Sequence, residues 1–111
     1  MKNAEYTLDE NGKIVTLTVN GKPVKAGFMR GLRKAQETPY WKLFTEPRDA
    51  QNPFTGVTRE LSGLQASIYT WILLQNARYD SGQHSVPVQT FDDMRYLFLE
   101  LEPDAYYDLV D

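Results

Sequence analysis

Two turn signals near the start of the chain, Asp9-Glu10-Asn11-Gly12 and Asn20-Gly21, constrain it more than any other feature. Asn-Gly between short apolar runs favours a type I′ hairpin, because that turn needs positive φ at both central residues. Lys13 to Val19 between the turns is rich in β-branched residues, which suit a strand. The first turn, taken as four residues, opposes Leu8 to Lys13 and Tyr6 to Val15. The second opposes Val19 to Lys22 and Leu17 to Val24. Directly opposed residues share a face. Tyr6, Leu8, Val15, Leu17, Val19 and Val24 therefore fall together, Thr7, Thr16 and Thr18 fall on the other side, and Ile14 is the misfit. The expected product is a three-stranded antiparallel meander over residues 1–26. Pro23 cannot donate to a ladder, so the third strand should be short and at an edge.

The remainder, residues 27–111, reads as mainly helical. Gly27 is expected to end the sheet. Phe28, Met29, Leu32 and Ala35 stand near helical spacing in a short helix that Pro39 stops. Glu46 to Glu60 carries Pro47, Pro53 and Gly56 and reads as a loop, with Asn52-Pro53-Phe54-Thr55-Gly56 as its turn. Ser62-Gly63-Leu64-Gln65 fits a capping box. The helix behind it should run to about Tyr79, with Leu64, Ile68, Trp71 and Ile72 as its stripe and Tyr69, Leu73 and Ala77 widening it. Thr90 can cap a further helix, with Asp92 and Asp93 in its first turn and Phe91, Met94, Leu97, Phe98 and Leu101 buried. Glu102-Pro103 reads as the cap and first residue of a last short helix. The whole predicts one α+β domain over residues 1–111, the meander followed by three to four helices.

Composition removes several classes of function. The 111 residues include no Cys, which excludes a disulfide framework, a thiolate metal site and a cysteine nucleophile. The lack of Cys is compatible with a reducing cytosol. No apolar run reaches membrane-spanning length, and the polar, acidic N-terminus has no secretory pattern. A soluble, cytoplasmic chain with no membrane partner is expected. An apolar content of 41 % is too high for a disordered chain. Charge is unevenly placed: the balance is +4 over residues 1–48, −1 over 49–91 and −6 over 92–111.

Several pieces of the second half, Asn52-Pro53-Phe54-Thr55-Gly56, Glu60-Leu61, Ala66-Ser67-Ile68-Tyr69, Met94-Arg95-Tyr96 and Pro103-Asp104-Ala105-Tyr106-Tyr107-Asp108-Leu109, span residues 52–109. In these the chain resembles a group of small, uncharacterised proteins carried by tailed bacteriophages. The resemblance implies an accessory protein acting in the cytoplasm of an infected bacterial host, with no established activity and no catalytic residue to carry over.

No catalytic constellation is legible, so no enzyme and no cofactor is expected. His84, the single histidine, lies in a polar loop with no carboxylate or nucleophile placed beside it by sequence. Asp92, Asp93, Glu100, Glu102, Asp104 and Asp108 follow no calcium-loop spacing and read as a solvated acidic face. The glycines form neither a phosphate cradle nor a nucleophile elbow.

Two surfaces remain. Tyr79, Tyr96, Tyr106 and Tyr107 outnumber what a core of this size needs, and exposed Tyr favours interfaces. A protein partner, either a host protein or a second copy, is expected to meet Tyr96, Asp104, Tyr106, Tyr107 and Asp108. The other surface is basic: Lys25, Arg30, Arg33, Lys34 and Lys42, with Arg48, Tyr40, Trp41 and Phe44 nearby. Charges for phosphates and rings for bases are what nucleic-acid grooves use. The whole-chain pI of about 5.1 weighs against that alternative.

Overall fold

A computed structural model describes residues 3–82 and 86–110. Three strands, β1 (Ala4–Leu8), β2 (Ile14–Val19) and β3 (Lys22–Pro23), form an antiparallel sheet in the order β1-β2-β3. Helix α1 (Ala26–Gln36) follows, then the hairpin β4 (Arg48–Gln51) and β5 (Thr58–Leu61). Helices α2 (Gly63–Asp80), α3 (Val88–Leu101) and α4 (Pro103–Leu109) complete an α+β fold with a meander ahead of four helices.

The second turn forms as its sequence dictates. Asn20 and Gly21 both have positive φ, 52° and 82°, and Val19 opposes Lys22. The third strand has two residues and lies at the edge, where Pro23 needs no partner. The first turn differs from the expected register. Asp9 Oδ1 accepts from the amides of Asn11 and Lys13, tightening the turn. Leu8 then opposes Ile14, and a bulge between Thr7 and Leu8 makes Tyr6 oppose Leu17. The bulge reverses three assignments. Ile14 is fully buried, while Val15 and Leu8 face solvent. Gln36 of α1 braces the buried residue: its side chain accepts from Ile14 N at 2.7 Å and donates to Ile14 O at 3.1 Å. A side-chain amide thereby completes the backbone pairing that buried strand groups require.

Gly27 does not end the sheet; it lies in the first turn of α1. The helix packs against α3 at a close crossing. A Cβ on Gly31 would come within 2.6 Å of Asp93 Cβ, so only glycine lets the two helices meet there. Arg33 and Lys34 fall in its last turn, complementing the helix dipole.

After Thr38 the chain returns along α2 without regular structure. Thr38 Oγ1 accepts from Trp71 Nε1 at 2.9 Å, and Ser67 Oγ accepts from Phe44 N at 2.8 Å. The backbone at Phe44 is so close to Gly63 that a Cβ there would lie 2.2 Å from Phe44 O. The loop expected over residues 46–60 is a β-hairpin. Its strands, Arg48-Asp-Ala-Gln and Thr58-Arg-Glu-Leu, bury only Ala50 and Leu61 fully, and so carry little apolar alternation for the sequence to reveal. Its turn does form as expected. Asn52 Oδ1 accepts from Phe54 N and Thr55 N, and Gly56 takes φ of 80°.

Helix α2 is central. Gly63 through Tyr69 are buried on every side, with Trp71 and Ile72 behind them. Ala77, expected in the stripe, is exposed. The capping box does not form: Ser62 makes no side-chain cap bond, its Oγ is buried without a partner, and Gln65 is buried in the core. Helix α3 starts two residues before Thr90, after Pro87, so Thr90 is buried within the helix and Asp92 and Asp93 lie beyond its first turn. Helix α4 begins with Pro103 as its first residue, as expected. Ile14 and Leu17 of β2, Leu32 of α1, Trp71 of α2, Phe98 of α3 and Leu109 of α4 belong to one continuous apolar cluster.

Candidate functional site

The Asn52–Gly56 turn does more than reverse the chain. Asn52 is buried, and its Nδ2 donates to Asp108 O at 2.9 Å, tying the turn to the end of α4. Tyr69, from the middle of α2, donates its hydroxyl to Gln51 O at 2.9 Å and lies 3.4 Å from Leu109 O. A phenol is protonated and able to donate at neutral pH, and burial raises the Tyr69 pKa further above its ordinary value. Asn52 and Tyr69 together fix where hairpin, α2 and α4 meet.

Beside that junction lies a cleft of about 360 Å³, a volume within the range of small-ligand sites. Ile72, Leu73, Phe91, Leu109 and Val110 form its apolar walls, and Pro53 and Phe54 stand at its edge. Asn52, Thr55, Tyr69, Asn76 and Arg95 add polar groups, and among the described residues no carboxylate belongs to the lining. Phe54 is 86 % exposed, the most open of the large apolar side chains described. A rigid turn thus holds an aromatic ring in solvent at the mouth of an apolar cleft.

Arg95 is held from three sides. One guanidinium nitrogen donates to Tyr106 Oη at 3.0 Å, the other lies 3.6 Å from Asp92, and the group sits over the Phe91 ring at 5.8 Å. These contacts fix the orientation of a cation that is still one-third exposed.

The expected protein-contact residues separate. Tyr96 and Tyr107 are exposed, 52 % and 62 %, and Asp104 is exposed at the start of α4. Asp108 is half-buried and pairs with Arg59 at 3.2 Å. Tyr106 departs from the expectation of an exposed ring. It is buried, 6.5 Å from the Phe98 ring, because the short helix α4 must turn one face into the core. Its part is indirect: Tyr107 packs edge-on against it at 5.5 Å and Arg95 donates to its hydroxyl, linking the exposed tyrosine to the cleft. Tyr79 is half-buried and donates to Val86 O.

The basic residues are all exposed, but different elements carry them. Lys25, at the N-cap, and Arg30, Arg33 and Lys34 belong to α1. Lys42 belongs to the segment laid on α2, where it and Arg48 cover Phe44 at 5.6 and 4.0 Å. The ring expected to be open for base stacking has a guanidinium on its face. His84 lies outside the described residues. Among those residues no group of three or more acidic or histidine side chains could hold a metal ion, and no helix is long and apolar enough to cross a membrane.

The cleft was not foreseen. Its residues come from positions 52–55, 69–76, 91–95 and 109–110, a separation that no local pattern connects. The available signal was the combination of a turn with a large aromatic at its tip and Arg95 as the one basic residue of an acidic helix.

The chain matches no family model, no curated protein and no solved structure.

Proposed function

We propose that this chain is a non-enzymatic accessory protein of the phage type, a protein-interaction module that docks its partner at the hairpin–helix cleft. The observation that carries this reading is Phe54, held in solvent by the Asn52 hydrogen bonds at the mouth of an apolar cleft. The turn fixes the Phe54 backbone before binding, a phenyl side chain has only two torsions to order on contact, and aromatic anchors beside pockets dominate interface energetics. Tyr107, joined to the cleft through Tyr106 and Arg95, adds a second exposed ring, and Tyr96 a third on α3. Asp104 and Asp108 would supply the polar rim.

Nucleic-acid binding through Lys25, Arg30, Arg33, Lys34 and Lys42 is the competing reading, and one experiment separates the two. A photo-crosslinking phenylalanine analogue is placed at position 54 in one protein and at position 30 in another, and each is irradiated in bacterial lysate with and without nuclease. Protein adducts at position 54 that survive nuclease are the expected result. Adducts confined to position 30 and lost on nuclease treatment would transfer the function to the basic helix.

A further inference from the structure

The lining of the cleft points to a partner chemistry. Apolar side chains form most of its walls, Asn52, Thr55, Tyr69 and Asn76 add neutral polar groups, and among the described residues its lining has no carboxylate and Arg95 is its one charged residue. We propose that the cleft captures the C-terminal residue of a partner polypeptide, with an apolar side chain in the pocket and its free carboxylate on Arg95. The inference rests on the interaction-module reading and specifies it.

Three features support this occupant. First, the charge is complementary: an apolar group carrying one negative charge matches an apolar wall carrying one positive charge. A guanidinium recognises a carboxylate with two parallel donors, and it does so best when already oriented. Tyr106 and Phe91 provide that orientation. Asp92 sits at 3.6 Å and is partly exposed, so its hold on the guanidinium is screened and can be shared with an incoming carboxylate. Second, the exposed Asn76 amide lines the same cleft. It offers both a donor and an acceptor, which suits the last peptide group of a chain. Third, Phe54 stands largely in solvent at the cleft edge. A free small acid would leave that ring unused, whereas a polypeptide leaving the pocket would run over it. Capture of a chain terminus by pre-placed donors is a recurring mode of peptide recognition.

The test uses the full chain and fluorescent decapeptides ending in free-acid Phe or Leu, the same peptides with C-terminal amides, and 3-phenylpropionate. Binding is read by fluorescence polarisation and by backbone amide shifts of Leu73, Arg95 and Val110. Free-acid peptides should bind and move those amides, and amidation should weaken binding about tenfold or more, the usual effect of losing a charge-assisted pair. Asn76→Asp, an exposed change that leaves the core alone, should weaken the acids more than the amides, because only the acids meet a second negative charge. Arg95→Met should abolish the preference for acids, with circular dichroism confirming the fold. Equal binding of acid and amide peptides, or no shift at millimolar peptide, would overturn the proposal. So would 3-phenylpropionate binding as tightly as the peptides, which would make the site one for small acids. Nuclease-resistant adducts at position 54 without acid preference would retain the interaction module and reject this occupant. Absence of both would reject both.

Discussion

A single side-chain amide braces the buried face of the first hairpin. Gln36 satisfies both backbone groups of Ile14, and that bond accompanies the bulge that sends Val15 outward. Gln36→Ala should cost about 1–3 kcal/mol in urea unfolding, because two buried backbone groups lose their partner. A loss below a few tenths would mean that the turn at Asp9 sets the register alone. Glu102 is a second decisive residue. It is buried at the α3–α4 junction with Oε1 unpartnered, and burial pushes its pKa up, with Asp104 adding to the rise and Arg59 opposing it. A carboxyl raised in the folded state favours folding at low pH, and that contribution is lost as pH rises through its folded value. Glu102→Gln should therefore gain stability over the natural chain progressively from about pH 4 toward neutrality. Thermal midpoints measured across that range would check it, and a constant offset would show that the carboxyl does not titrate abnormally. Neither effect was visible in sequence. The alternation of β2 placed Val15 inward because a side chain twenty-two positions away from Ile14 cannot be seen in a local pattern. Tyr106 is different: it stands three residues before Leu109 at helical spacing, a local sign that it and not Tyr107 faces the core, and the composition-based count of tyrosines overrode it.

Elements here are set by how closely they approach. Gly31 lets α1 meet α3 at Asp93, and Gly63 lets the returning chain lie against the start of α2. Gly63→Ala should be the harsher change, about 3 kcal/mol or more, because the new methyl meets backbone at Phe44. Gly31→Ala meets a side-chain carbon and should cost less, about 1–3 kcal/mol. Denaturant midpoints of the two variants give the order, and the reverse order would show that the chain at Phe44 can move aside. The hairpin β4–β5 teaches a related lesson. Its turn was legible because Asn52, Pro53 and Gly56 have local reasons to turn. Its strands were not, because each has a single fully buried residue and relies on α2 and α4 for position. Asn52→Ala should loosen the hairpin from α4, costing about 1–2 kcal/mol for its buried hydrogen bonds and raising Phe54 mobility. Solution NMR order parameters at residues 53–55 would report it.

For the molecule as a whole, the apolar cluster runs unbroken from β2 to α4, and the sheet, α1 and α3 share it. Such a core should unfold in one step. Urea unfolding followed by tryptophan fluorescence, to which the fully buried Trp71 contributes, should coincide with unfolding followed by far-ultraviolet dichroism. Two separated transitions would mean that the meander melts on its own. The overall plan was legible because hydrophobic spacing and turn chemistry act over a few residues. The cleft was not, because it exists only where four distant segments converge. Helix α2 joins these scales. Its first two turns are enclosed on all sides, while its later turns expose Leu74, Asn76 and Ala77. In time rather than space, the helix should have two clocks. Amides from Ala66 to Tyr69 can meet solvent deuterium only when the entire chain opens, whereas those near Asn76 should exchange through brief local fraying, so that the wall of the cleft breathes while its foundation does not.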